Sequence, residues 1–202
     1  MSPVLVRLAL VAAAGGVLGG AALASAATTV PSPKPFSFTD DSGDAAPLKG
    51  DIVKVTYTTT GTKVGKVYTP KNLVISIETA DAIDASGTTT YEADASIDGC
   101  ADGLDVYFTP GADGSEGGGC LNGSGTNITG EGVDGPPVVS DKKITWTIPF
   151  SSVSGGVLKA GKAIDGFDAY TGAVDPVTGF VGPYLLGFRN DEASSDKAYK
   201  IG

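Results

Sequence analysis

From about residue 50 onward, apolar residues recur at every second position, the pattern of strands with one buried and one wet face. Val53, Val55 and Tyr57 share one side while Lys54, Thr56 and Thr58 share the other. Leu73, Ile75 and Ile77 alternate with Asn72, Ser76 and Glu78, broken only by Val74. Tyr91, Ala93, Ala95 and Ile97 alternate with Glu92, Asp94, Ser96 and Asp98. Further sets are Leu104, Val106 and Phe108, and then Ile144, Trp146, Ile148 and Phe150. Weaker strand signals lie at residues 167–171, 184–188 and 198–201. Turn signals stand between the runs at Gly61, Thr69-Pro70, Ser86-Gly87, Asp98-Gly99, Pro110-Gly111 and Ser154-Gly155-Gly156. After the N-terminal segment no stretch carries an apolar stripe at helical spacing. Short strands with regular turns predict an all-β fold, an antiparallel β-sandwich of jelly-roll-like type with very little helix; an immunoglobulin-like sandwich is the alternative.

The N-terminal segment reads differently. Residues 1–26 hold one cation, Arg7, then an acid-free run of Leu, Val, Ala and Gly ending in Ala24-Ser25-Ala26, the form of a secretory signal peptide with its cleavage site. Residues 27–35 are a Pro-rich leader expected to stay extended and disordered, and residues 36–202 are expected to form a single domain. Without the signal segment, 13 Lys and Arg face 23 Asp and Glu, a net charge of −10. That acidity, with scattered lysines, argues against nucleic acid and against anionic lipid as partners. Cys100 and Cys120, in a chain bound for an oxidising compartment, are expected to pair as a disulfide. The stretch 110–137, rich in Gly, Asp, Ser and Asn, is expected to be a long surface loop.

Absent residues constrain the chemistry further. There is no His anywhere, and the single Met is the first residue, so the secreted chain lacks the commonest general base and metal ligand. No nucleophile motif of the G-x-S-x-G kind occurs, and the expectation is a protein that is not an enzyme. The metal suited to such a chain is calcium, which takes carboxylate and carbonyl oxygens from loops. Asp40, Asp41 and Asp44 cluster around Gly43 ahead of Asp51, and Asp191-Glu192 stands before the final strand signal. First and last strands of a sandwich commonly lie close together, so Asp41, Asp44 and Asp191 are the candidate calcium ligands. The bland alternative is an acidic turn whose side chains accept backbone N–H bonds. Trp146 phases with the core, whereas Tyr107 and Tyr170 phase with the outer face and are expected to be exposed.

The order Asp41-Ser-Gly-Asp44-Ala, Asp51-Ile-Val-Lys-Val, Asn72-Leu-Val-Ile-Ser-Ile, Ile144-Thr-Trp-Thr-Ile-Pro-Phe, Asp191-Glu-Ala193 and Tyr199-Lys-Ile-Gly202 resembles small secreted modules of actinobacterial type. Those are similar to DOMON-like and family 9 carbohydrate-binding β-sandwiches. The resemblance implies a domain that binds sugars, haem or calcium or serves as an accessory module. Haem-binding members use Met and His ligands, and sugar-binding members use paired exposed Trp residues; this chain departs from both patterns. The expectation is therefore a secreted, monomeric, non-catalytic binding or accessory module, calcium-stabilised, contacting extracellular polysaccharide or protein. The alternatives are a cell-envelope structural protein without a small ligand, and a hydrolase working through carboxylates.

Overall fold

A computed structural model describes residues 28–32, 34–45, 50–111, 115–120, 128–129, 137–173 and 189–202. The expected signal segment and the strand signal at 184–188 lie outside them. Two antiparallel sheets pack face to face. The first sheet contains β1 (Thr28–Pro31), β2 (Phe36–Thr39), β3 (Ile52–Val64), β4 (Val67–Thr79), β9 (Val138–Ser140) and β10 (Lys143–Pro149). Its order is β1-β3-β4-β10-β9, with β2 also on the free edge of β3. The second contains β5 (Thr89–Ile97), β6 (Cys100–Phe108), β7 (Ser115–Gly119), β8 (Ile128–Thr129), β11 (Ala163–Ala173), β12 (Arg189–Ser195) and β13 (Tyr199–Lys200). It runs β12-β11-β5-β6-β7-β8, with β13 beside β12 on the edge of β11. Among the described residues the only helical pieces are the short 3-10 turns Phe150–Ser152 and Ser154–Gly156. The chain is an all-β antiparallel sandwich, as its period-two pattern predicts.

The alternating residues meet between the sheets. Val55, Tyr57, Leu73, Ile75, Ile77, Ile144, Trp146 and Ile148 come from the first sheet and face Tyr91, Ala93, Ala95, Leu104, Val106, Ile164, Phe167 and Ala169 from the second. Burying such side chains stabilises by about 1.5–3 kcal/mol each, which is what fixes the register: a one-residue slip would turn the whole set outward. In this core the tilted rings of Tyr57 and Phe167 lie with centroids 4.4 Å apart. Cys100 and Cys120 are joined, with Cα atoms 5.8 Å apart, tying the end of β7 to the start of β6.

Several expectations are corrected. Thr28–Pro31, assigned to a disordered leader, pairs with Thr60–Lys63 of β3. Proline is tolerated there because β1 is an edge strand and Pro31 its last residue. Gly61 and Thr69-Pro70, read as turns, lie inside a long β3–β4 hairpin whose turn is Gly65-Lys66. Gly61 marks a register shift, and a Cβ on it would collide with the Thr69 carbonyl and Pro70 backbone, so glycine there serves close approach rather than turning. The glycine-rich stretch 110–137 contributes β7, paired with β6 from Leu104↔Gly119 to Phe108↔Ser115, and β8; residues 121–127 and 130–136 lie outside the described ones.

Candidate metal centre

One end of the sandwich is built from acids. In β2 the alternation places Phe36 and Phe38 half-buried toward the core, with Ser37 and Thr39 exposed. Continuing that phase puts Asp40 on the inward side and Asp41 outward. The Asp40 N–H donates to the Val53 carbonyl at 3.3 Å, carrying the β2–β3 pairing one residue past the strand. The chain then reverses through Gly43, whose φ of 93° lies in the left-handed region that favours glycine. The Gly43 N–H donates to Asp51 Oδ2 at 2.8 Å, pinning the turn onto the start of β3. Asp191 arrives from the other sheet: it sits on β12 opposite Thr171, and its Oδ2 accepts the Ile52 N–H at 2.5 Å while its Oδ1 accepts the Glu192 N–H at 3.0 Å.

The carboxylates of Asp40, Asp44 and Asp191 each offer an oxygen, and these oxygens all lie within 4.8 Å of one another. Oxygens bound at about 2.4 Å to a common calcium are at most about 4.8 Å apart, so the group fits one coordination sphere of that ion. Carboxylates without His or Cys suit a hard cation. Asp191 is 8% exposed and Asp51 5%, so the centre has a closed floor, while Asp44 is exposed and forms its open side. Two oxygens there are buried without a hydrogen-bond partner, Asp40 Oδ2 and Asp51 Oδ1. Leaving such an acceptor unsatisfied is costly, and costlier for a charged group.

Electrostatics agree with the geometry. Burial raises the Asp40 carboxyl above its ordinary range; the Asp41 backbone N–H opposes this, and the charges of Asp44, Asp41 and Asp51 push the same way as burial. Burial also raises Asp191, against the backbone N–H groups of Ile52 and Glu192 and with the charges of Asp40 and Asp44. Both acids sit where a negative charge is disfavoured in the protein alone and where a cation would reverse the balance.

Of the three residues assigned from the sequence, Asp44 and Asp191 converge and Asp41 does not: it is exposed, outside the group, and Asp40 takes its place. The missed residues are Asp40 and Asp51. The signal for Asp40 was the phase of Phe36 and Phe38, which the cluster around Gly43 obscures. Asp51 is legible only from the turn it accepts.

A second set of acids lies on the outer face of the second sheet. Register aligns Asp168, Asp94 and Asp105 across β11, β5 and β6, and aligns Glu192, Tyr170, Glu92 and Tyr107 in the next row. Tyr107 and Tyr170, expected to be exposed, are both buried. The Tyr170 hydroxyl lies 2.9 Å from Glu92 Oε1 and 2.6 Å from Asp94 Oδ2. Tyr170 is tied down in this way as part of the sheet's own bonding. Trp146 is fully buried in the core, as its phase predicts.

Compared with protein-family models, with curated proteins and with solved structures, the chain finds no match.

Proposed function

We propose that the chain is a secreted, non-catalytic binding or accessory module, stabilised at one end by calcium and contacting extracellular polysaccharide or protein. The observation that carries the metal reading is the convergence of carboxylate oxygens of Asp40, Asp44 and Asp191 within 4.8 Å of one another, with Asp40 Oδ2 buried and without a hydrogen-bond partner. The ligands come from the β2–β3 turn in one sheet and from β12 in the other, so the ion acts as a clasp across the seam of the sandwich. A clasp of this kind is structural, in keeping with the accessory role that the family resemblance implies. The apolar N-terminal run and the Cys100–Cys120 bridge support a secreted protein, since disulfides persist outside reducing compartments.

Thermal unfolding with and without calcium tests the clasp. Calcium about a hundredfold above its dissociation constant should raise the midpoint by roughly 5–10 °C for a domain of this size. Equal midpoints in calcium and in chelator overturn the metal reading. Retention on insoluble polysaccharide or isolated cell wall tests the glycan contact, and no retention on any glycan leaves protein as the partner.

A further inference from the structure

The end of the sandwich opposite the acids has the reverse character. Between Asp51 and Glu78 the sequence holds no Asp or Glu, in a chain with 23 of them. That acid-free run is the β3–β4 hairpin, and its far end carries Lys63, Lys66 and Lys71. None of the three is in an ion pair among the described residues, and all are exposed. Val64 and Val67, paired across the turn, are 52% and 68% exposed, among the most exposed large apolar residues of the described chain. The strands beside the hairpin bring no negative charge: β1, which borders Thr60–Lys63, has no acid, and β10 borders β4 only from Asn72 to Glu78. Residues 64–71 thus project past β10 as a cationic tip capped by two valines.

We propose that this tip docks on the surface of an anionic lipid bilayer, the lysines meeting head groups and Val64 and Val67 entering the interface between them. The net charge of the chain argues against such a partner only if charge is averaged over the molecule. It is not: β3 spans roughly 40 Å from the acidic end to the tip, and charges are screened beyond about 8 Å at physiological salt. What a membrane meets is the local charge. The valines decide between lipid and a soluble polyanion, because apolar side chains gain from leaving water for the interface and gain nothing from a hydrated polymer.

Co-sedimentation of the chain from residue 27 onward, which contains every described residue, tests this with vesicles of phosphatidylglycerol and phosphatidylcholine against vesicles of phosphatidylcholine alone. The expected result is partition to the anionic vesicles, lost at high salt. The triple variant Lys63→Gln/Lys66→Gln/Lys71→Gln should weaken it by about a hundredfold, and Val64→Ser/Val67→Ser by roughly tenfold. A control, Lys159→Gln/Lys197→Gln, removes two exposed lysines elsewhere and should change it little. Absence of partition to anionic vesicles overturns the proposal, as does equal loss in the control. Valine variants that bind like the parent, together with competition by a soluble polyphosphate, would reassign the tip to polyanion binding.

Discussion

A single position separates a metal ligand from a bystander here. Asp40 and Asp41 are adjacent and chemically identical, yet only Asp40 inherits the inward phase of Phe36 and Phe38. Two signs in one variant distinguish a ligand from a turn former. Asp40→Asn should leave the calcium-free midpoint unchanged or raise it, by removing a buried charge that faces Asp44, Asp51 and Asp191, while abolishing most of the calcium-dependent rise. Asp41→Asn should keep that rise; thermal melts of both variants decide it, and equal loss would mean that the acids act by bulk charge. Asp84 is the contrasting carboxylate. Its oxygens accept the Ser86 N–H and hydroxyl and the Thr88 and Thr89 hydroxyls, and these bonds hold its carboxyl well below the ordinary range. A depressed folded value means stability that is present above the unfolded value of 3.8 and lost as pH falls below it. Asp84→Asn should therefore flatten the acid limb of the stability profile below about pH 4 while costing stability at pH 7, as read by urea midpoints against pH. None of this was legible from composition. Asp40 was passed over for Asp41 because the phase of Phe36 and Phe38 separates the two only once β2 is known to be a strand, and the bonds around Asp84 depend on a turn that residue identity alone leaves open.

At the scale of elements, the long alternating strands were legible; their limits were not, nor were the short strands β1, β2, β8 and β9 or the position of β12. Val55, Tyr57, Leu73, Ile75, Ile77, Ile144, Trp146 and Ile148 all sit in the core where their alternation places them. The hairpin was misread because glycine and proline mark turns in most contexts, whereas in β3 and β4 they mark a register shift. Gly61→Ala makes that distinction measurable. Its Cβ meets Thr69 and Pro70 backbone, which cannot rotate away, so the variant should lose about 2–4 kcal/mol in urea unfolding. A loss under about 1 kcal/mol would mean that the strands part easily at the bulge. β7 was hidden for a related reason. A strand of Ser115–Gly119 has almost no side chains to alternate, and it pairs through backbone bonds beside the Cys100–Cys120 bridge. Replacing both cysteines by serine should cost about 3 kcal/mol, as the chain-entropy model gives for a loop of this length.

Over the whole molecule the two sheets divide the charge. The strands of the first carry Lys54, Lys63, Lys71 and Lys143 against Glu78 alone. Those of the second carry Glu92, Asp94, Asp102, Asp105, Glu116, Asp165, Asp168, Asp191 and Glu192 against Arg189 and Lys200. The division becomes visible once strands are assigned to sheets, which period-two alternation by itself cannot do. It also explains where a cation is worth most. The acidic turn of the first sheet and Asp191 of the second would repel each other across the seam, although the Ile52 N–H already bonds Asp191. An ion there converts repulsion into attachment between sheets, and the gain should be confined to that end. Amide hydrogen exchange reads this locally. Added calcium should slow exchange at Ile52, at Glu192 and along the β2–β3 and β11–β12 pairings near them. The hairpin tip from Val64 to Val67, at the other end of β3, should exchange as before. Uniform slowing across both ends would mean that calcium raises global stability without a seat at the seam, and slowing at the tip alone would place the ion elsewhere.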